Sequence, residues 1–125
     1  MVDSNSDESV FDLEERLLDY SASIIRVTER LPDSRAGNHV AGQLLRSGTS
    51  PLPNHGEAQA AESRRDFIHK MSVCLKELRE SHRWIRLIDR VPLIHEKDEV
   101  ARILQETDEL VRIFAASIRT AREPK

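Results

Sequence analysis

The segment QLLRSGTSPLPNHGE, residues 43–57, decides the fold of this chain because it interrupts a sequence that is otherwise helical in pattern. Pro51 and Pro53 each lack a backbone N–H, so a regular helix must kink or end there. Gly48 and Gly56 let other backbones approach closely or let the chain turn. The segment is therefore either a loop between two helices or a shaped piece of backbone around which the rest of the fold is built.

Three longer stretches around this segment carry apolar residues at alternating spacings of three and four, as amphipathic helices do. The first ends at Pro32, and its apolar stripe comprises Val10, Leu13, Leu17, Tyr20, Ile24, Val27 and Leu31. The next is capped by Ser63, runs to about Arg90, and carries Phe67, Met71, Cys74, Leu78, Ser81, Ile85 and Ile88. The last runs from about Asp98 to Ala121, with Val100, Leu104, Val111, Phe114 and Ile118 directed inward and Ile103 and Leu110 beside them.

A shorter helix opens near Asp33 or Ser34, which can cap free N–H groups, and leads into the interrupted segment. Four amphipathic helices with short connections predict an all-α fold, an up-down antiparallel four-helix bundle with a Pro-kinked or broken second helix. Ser9 and Asp12 resemble a capping box at the start of the first helix. Residues 1–8 are accordingly predicted to be a disordered acidic tail, and residues 9–125 the bundle domain.

Length and composition are those of a single soluble domain. The chain has 125 residues, 33% of them charged and 4% aromatic, a balance that suits helices better than sheets. A single cysteine, Cys74, excludes an internal disulfide and fits a reducing compartment. Neither a secretory signal nor an apolar run of about 18 residues is visible, so we expect a cytoplasmic protein with no membrane partner.

Charge is unevenly distributed along the chain although the net charge is only −3. Residues 1–33 contain nine acidic and three basic residues, whereas residues 34–90 contain ten basic and six acidic residues. The first helix is therefore acidic and the middle of the chain is basic. Such asymmetry can direct docking to a partner or let one copy attract the next.

Several residues of the interrupted segment and of the long helix after it resemble a known motif. The motif reads Gln-x-x-Arg, then Ser and Asn, then Glu, with a second Glu about twenty residues later; here it is carried by Gln43, Arg46, Ser50, Asn54, Glu57 and Glu77. In these residues and in helix order the chain resembles the bacterial four-helix-bundle family first noticed as proteins encoded in 23S rRNA intervening sequences. It departs from the family pattern at Pro51 and Leu52, where Ile and Pro are usual, at His55 and Gly56, where an apolar residue and Ala are usual, and at Ala58, where Gly is usual.

The resemblance implies a closed ring of bundles, commonly of five subunits, so the expected partner is the chain itself. It also implies a link to structured RNA or to a nucleic-acid enzyme, because relatives include an accessory bundle of diversity-generating retroelements that works with a reverse transcriptase. No enzymatic activity is established for the family as a whole. The resemblance thus favours a non-enzymatic module that needs no cofactor.

The motif residues have structural interpretations of their own. Arg46 and Glu77 lie among apolar neighbours, where a charge needs a partner, so they are expected to form an ion pair at a helix or subunit interface. A catalytic Glu77 is the alternative. Ser50 and Asn54 have short polar side chains suited to capping the backbone groups that the prolines leave free.

A cationic stripe lies on the long helix after the interrupted segment. Its residues recur at spacings of three and four: Lys76, Arg79, Arg83, Arg86 and Arg90, with Arg65 further back on the same side. Such a stripe can neutralise phosphates, which makes RNA binding an alternative function. The absence of interleaved aromatic residues argues against sequence readout of single strands. A solvated face, or pairing with the acidic first helix, explains the same pattern.

Catalytic and metal-binding patterns are weak. The sequence has one Asp66-x-x-His69 and no paired Glu-x-x-His motifs, HExxH or cysteine pair, so no metal site is predicted. A helical ribonuclease with an Arg-x4-His motif is a second alternative, because Arg64 and Arg90 precede His69 and His95 at that spacing. With 19 basic residues and five histidines, chance produces such spacings easily.

Self-association is the main functional prediction. Trp84, Leu87 and Val91 extend the apolar stripe of the long helix around its side, giving it more apolar surface than one intramolecular face requires. The alternative is that helix one or helix four of the same chain, or the ordered tail, covers Trp84. We therefore interpret the chain as a homo-oligomeric assembly or binding module, and the number five comes from the family resemblance alone.

Overall fold

The computed structural model of the protein describes the backbone of residues 4–124 and the side chains of residues 12–124. Within those residues the chain forms five helices and no strand. They are α1 (Ser4–Glu29), α2 (Arg35–Thr49), α3 (Pro51–Gln59), α4 (Arg64–Arg90) and α5 (Lys97–Arg122). The predicted all-α bundle is confirmed, and α2 and α3 together make the second of its four rods.

The second rod is a helix that bends at Pro51. Ser50 keeps right-handed helical dihedral angles, its N–H donates to the carbonyl of Arg46 at 3.1 Å, and its carbonyl accepts from the N–H of Asn54 at 3.3 Å. The Asn54 side-chain amide also donates to the carbonyl and hydroxyl oxygens of Ser50, at 3.0 and 2.9 Å. The proline-kinked second helix is therefore confirmed. Residues 43–57 form a bend and its flanks rather than a loop.

Serine side chains cap the helices that follow the two tight connections. The Ser34 hydroxyl oxygen accepts from the N–H of Gly37 at 3.0 Å, and the Ser63 hydroxyl oxygen accepts from the N–H of Asp66 at 3.0 Å. The predicted cap at Ser63 is confirmed, and of the two residues proposed for α2 it is Ser34 that caps. Each cap satisfies one of the N–H groups that a helix start leaves without a partner.

The first helix begins earlier than the sequence predicts. α1 starts at Ser4 rather than at Ser9, so residues 4–8 belong to the helix instead of a tail. Residues 1–3 lie outside the described part of the chain, and no helix within residues 4–124 is long and apolar enough to cross a bilayer.

The four rods surround one core in chain order. α1 packs against α2, α3 and α5, and α4 packs against the same three helices. Arg16, early in α1, pairs with Glu106 of α5 at 2.6 Å, whereas Arg30, after α1, pairs with Glu96 at the start of α5 at 2.7 Å. Neighbouring rods are therefore antiparallel. α1 and α4 lie diagonally, with no close backbone contact in the described residues.

Side chains from all four rods fill the core. Those with no exposed surface are Leu17, Ile24, Leu44, Cys74, Leu78, Ile88, Leu110 and Phe114. They confirm most of the predicted stripes of α1 and α4, and the first stripe's Val10 lies outside the residues whose side chains are described. Burial of each such side chain stabilises the fold by roughly 1.5–3 kcal/mol.

The buried face of α5 is rotated from the predicted one. Ile103 and Leu110, predicted to lie beside the inward stripe, are buried together with Thr107. Leu104 and Val111, predicted to point inward, are only partly buried. Spacings of three and four residues fit both the predicted and the observed buried face. Because the buried Thr107 is not apolar, it gives no signal that would select the observed face.

A buried polar layer crosses the middle of the bundle. The hydroxyl groups of Tyr20 in α1 and Thr107 in α5 are 2.8 Å apart, as are those of Ser47 in α2 and Ser81 in α4. Thr107 donates to the carbonyl of Ile103 one turn earlier, so Tyr20 is the donor to Thr107. In the serine pair either hydroxyl group can donate, because each also lies near a backbone carbonyl. Burial raises the pKa of Tyr20 to about 12, so it stays a neutral donor. These hydrogen bonds fix the positions of the rods relative to one another along the bundle axis.

α1 and α2 approach closely at Gly48. A Cβ atom at this position would lie 2.6 Å from the Cγ2 atom of Ile24, which is fully buried. Ile24 is β-branched and has little freedom to rotate away. At Gly42, in the same helix, a Cβ atom would meet nothing within 4 Å. The close approach therefore requires a glycine at position 48 and not at position 42.

Candidate functional site

The basic stripe lies on the outer face of α4. Its five residues, each exposed, are Lys76, Arg79, Arg83, Arg86 and Arg90. They occupy the side of the helix away from Leu78, Ile85 and Ile88, which point into the core. Within residues 12–124 none of the five forms an ion pair, and Arg65 in the first turn of α4 forms none either. The stripe is therefore a continuous positive surface about 21 Å long, at 1.5 Å of rise per residue.

Five cations elsewhere in the described chain have acidic partners. Arg16 bonds to Glu106 and Glu109, and Arg30 to Glu96 and Glu99, across the joint between α1 and α5. The Glu106 carboxylate raises the pKa of Arg16. Three more cations are neutralised in the same way: Arg46, Lys70 and Lys97. Other exposed cations, among them Arg26, Arg102 and Arg112, also lack an ion pair within residues 12–124. What sets the stripe apart is that five such cations lie in one row on one helix face.

Half of the stripe borders a groove between α4 and α5. This α4–α5 groove has a volume of about 370 Å³ and is lined by Ser72, Leu75, Lys76, Arg79, Arg83, Ile118 and Arg122. Arg122, in the last turn of α5, joins the stripe because the two helices are antiparallel. Sequence reasoning missed Arg122, since it lies nearly forty residues from Arg83 and only the packing of α5 on α4 brings it there.

The other side of the stripe borders the residues predicted to form an interface. Leu87 and Val91 are 42% and 58% exposed, and Trp84 is partly buried against the core. The Trp84 indole N–H donates to Glu80 at 3.1 Å, and its ring meets His39 of α2 edge-on, at 5.9 Å between centroids. We call Trp84, Leu87 and Val91 the α4 apolar strip. The partial cover of Trp84 by α2 leaves the other two residues open.

A second apolar surface, which the sequence did not single out, lies on the opposite side of α2. Leu18 and Ile25 of α1 and Leu45 of α2 are each more than 40% exposed. We call these three residues the α1–α2 face. The sequence signal was the spacing of seven between Leu18 and Ile25, which places them two turns apart on one side of α1. Neither residue belongs to the predicted inward stripe of α1.

The motif pair Arg46 and Glu77 is brought together, but at the surface. Arg46 lies 3.3 Å from Glu77 and 2.6 Å from Glu80, and its side chain is 55% exposed. Arg46 is therefore exposed, whereas the Glu77 side chain, at 13% exposure, is the mostly buried partner. Since exposed ion pairs contribute roughly 0–1 kcal/mol, the cluster orients α2 against α4 more than it stabilises them. Glu80, which also accepts from Trp84, was missed by the motif.

The remaining motif residues serve the local backbone and the bend. Gln43 accepts from Arg46 at a long 3.5 Å, whereas Ser50 and Asn54 bond to each other across the bend. Glu57 lies 3.5 Å from Lys70 of α4 in an exposed pair. None of these contacts requires a ligand, so the motif here shapes the second rod and attaches it to α4.

His55 shows how the chain accommodates its departure from the motif. This histidine stands where an apolar residue is usual, and it is only 1% exposed. Its ring meets Phe114 edge-on at 5.9 Å between centroids, Nε2 lies 3.2 Å from the side-chain nitrogen of Gln59, and Nδ1 has no partner among the described residues. Burial lowers the pKa of His55, so the ring is held neutral in an apolar position.

Residues that the sequence suggested for catalysis do not converge. His69 is exposed in the first part of α4, whereas His95 is exposed in the connection beyond its other end, so about 30 Å of helix separates the two Arg-x4-His motifs. Cys74 is buried, and burial raises its pKa to about 12, which leaves the thiol protonated and unreactive. In the described residues no group of three or more His, Cys, Asp or Glu could hold a metal ion.

Comparisons with known proteins agree with this architecture. The sequence matches the family model described as 23S rRNA-intervening sequence protein over residues 12–116. A crystal structure of a protein with unknown function from the S23 ribosomal protein family of Bacteroides thetaiotaomicron has a TM-score of 0.77 and 30% sequence identity, and the alignment covers 84% of this chain and 96% of that one. None of the curated proteins matches the sequence. Neither description names a reaction or a ligand.

Proposed function

Because the chain belongs to the family of 23S rRNA-intervening sequence proteins, we propose that it is a non-enzymatic assembly module whose copies associate head to tail. In this assembly the α1–α2 face of one copy meets the α4 apolar strip of the next. The observation that carries the proposal is that one bundle exposes two separate apolar surfaces with opposite charges around them. In a closed ring both apolar surfaces of every copy are covered. The family resemblance leads us to expect five subunits.

The charges around the two surfaces are complementary. On α1, Glu14 precedes Leu18 by one turn and Glu29 follows Ile25 by one turn, and both acids are exposed. On α4, the exposed Arg83 and Arg90 flank Leu87 in the same way. Within residues 12–124 neither Glu14 nor Glu29 forms an ion pair. Contact between two copies would therefore neutralise charges that one copy leaves unpaired.

The two apolar surfaces also match in length. Leu18 and Ile25 are seven residues apart, as are Trp84 and Val91, so each pair spans about 10.5 Å along its helix. Ridges of equal repeat can interdigitate when two helices pack. Because the surfaces are different, the contact is heterologous and each copy retains one free surface until a ring closes.

We expect Leu87→Asp and Ile25→Asp each to reduce the assembly to monomers of 14.3 kDa, because either change buries an unpaired carboxylate at the contact. Light scattering coupled to size exclusion measures the mass, and Ala116→Asp, an equal charge on the exposed face of α5, is the matched control. Mixing the two monomeric variants should give dimers and nothing larger, since only one contact per pair is intact.

Three results would contradict the proposed assembly. The first is a wild-type mass of one chain at every concentration. The second is a full-size assembly in both variants, which would place the interface elsewhere. The third is a mixture that stays monomeric, which would exclude a contact between these two particular surfaces.

A second function, binding of structured RNA by the basic stripe, is favoured by the absence of acidic partners along it. We expect reversal of Arg79, Arg83 and Arg86 to Glu to abolish RNA binding at about 50 mM salt, while the helical circular dichroism persists. Filter binding or fluorescence anisotropy with a labelled structured RNA measures this. Wild-type protein that fails to bind RNA at that salt concentration would exclude the function.

A further inference from the structure

We infer that the α4–α5 groove holds the phosphodiester backbone of a nucleic-acid duplex, with Lys76, Arg79 and Arg122 as its phosphate ligands. This inference rests on the proposed RNA binding and assigns it to one half of the stripe together with a residue of another helix. Arg86 and Arg90 lie beyond the groove, and Arg83 lies between the groove and the assembly contact, where it flanks Leu87 together with Arg90. The stripe thereby contacts a nucleic acid near the middle of α4 and a second copy of the chain near its C-terminal end.

Charge composition sets this groove apart from two other charged clefts of the described chain. Four of its lining residues are cationic and none is acidic. The cleft between α1 and α5 mixes Arg26 and Arg102 with Asp19, Glu99 and Glu106. The shallow cleft at the start of α5 is mainly acidic. An anionic ligand in the groove would relieve the repulsion among these cations, which no acidic lining residue offsets.

The chemistry of the lining selects phosphate rather than a base or a whole nucleotide. The groove contains no aromatic side chain on which a base could stack, and the Ser72 hydroxyl is its one neutral polar side chain. The other two lining residues, Leu75 and Ile118, offer an apolar floor without donors or acceptors. Such a site can contact backbone phosphates but cannot read base edges.

The length of the charged surface favours a polymer over a small phosphate compound. Lys76 and Arg83 alone span about 10.5 Å along α4. Arg122 reaches the same groove from α5, so the cations are spread over two helices rather than gathered around one point. A duplex carries one charge per roughly 1.7 Å of its axis, so it presents phosphates along the whole of such a surface.

The test compares three variants, the first two matched in charge, by fluorescence anisotropy with a labelled RNA duplex between about 50 and 200 mM salt. The groove variant is Lys76→Gln/Arg79→Gln/Arg122→Gln, and the control removes three exposed cations from other faces, Arg26→Gln/Arg102→Gln/Arg112→Gln. The third variant is Arg86→Gln/Arg90→Gln. We expect the groove variant to make the fall of log K, the association constant, with log salt less steep by about three units of slope. Each lost phosphate contact removes about one unit. The control should keep the wild-type slope.

The possible outcomes separate this inference from the functions on which it rests. One contrary result is that the Arg86 and Arg90 variant loses RNA binding while the groove variant binds normally. This would exclude the groove as the phosphate site but would leave RNA binding by the stripe. Equal losses in the groove and control variants would exclude the groove as well, since net charge alone would then explain binding. A groove variant that changes the mass of the assembly and not RNA affinity would assign the groove to a protein contact. Equal affinity for scrambled duplexes is expected, and a strong sequence preference would refute backbone recognition.

Discussion

Replacement of Gly48 with alanine is expected to destabilise the bundle by about 1–3 kcal/mol, the range for forcing extra atoms into a packed core. The added Cβ would lie 2.6 Å from Cγ2 and 2.8 Å from Cγ1 of Ile24. Both are atoms of a buried, β-branched side chain, so α2 has to move away from α1. The gain in helix propensity of about 1 kcal/mol offsets only part of this cost.

Gly42→Ala is the matched control in the same helix. It adds the same methyl group with nothing within 4 Å, so we expect it to stabilise the fold by up to about 1 kcal/mol. Urea unfolding followed by circular dichroism measures both free energies of unfolding. If both alanines shift the midpoint in the same direction, the close approach of α1 and α2 at Gly48 is wrong.

The second prediction concerns the buried polar layer. Removal of the donor or of the acceptor of one hydrogen bond should lower the free energy of unfolding by unequal amounts. Thr107→Val should cost about 1–3 kcal/mol, because it removes the acceptor of the buried Tyr20 hydroxyl, 2.8 Å away. Tyr20→Phe should cost less. Thr107 still donates to the carbonyl of Ile103 at 2.7 Å, so no donor is left without a partner.

The double variant Tyr20→Phe/Thr107→Val shows whether the asymmetry has this cause. We expect its free energy of unfolding to lie close to that of Tyr20→Phe alone, since removal of both groups leaves nothing unsatisfied. Denaturant unfolding of the four proteins completes a double-mutant cycle. Additive losses in the double variant would mean that the two hydroxyl groups do not depend on each other.

The helices of this fold can be predicted from the sequence because their signals are local. Spacings of three and four, the capping Ser63 and the prolines all act within a few residues, and they give four rods and the bend at Pro51. The rotation of α5 was not predictable in this way. Thr107 is buried because it meets Tyr20 of α1, and no local pattern records a partner almost ninety residues away.

Candidate functional surfaces were predictable only in part for the same reason. The basic stripe and the α4 apolar strip each lie on one helix, so periodicity finds them. The α4–α5 groove needs Arg122, and the α1–α2 face needs Leu45 beside Ile25; both depend on which rods are neighbours. The burial of His55 and the exposure of Arg46 likewise follow from tertiary packing, which a motif read along the chain does not specify.

In the proposed assembly, the diagonal placement of α1 and α4 has a consequence for how quickly copies find each other. Unpaired acids on one flank and unpaired cations on the opposite flank give each bundle an electric dipole across its width. Two approaching copies then experience a torque that aligns positive flank with negative flank before any atoms touch. Added salt shortens the range of that torque to about 8–10 Å, so it should slow association far more than it speeds dissociation. In the proposed assembly, we therefore expect the charges to set the association rate and the apolar surfaces to set the lifetime of each contact.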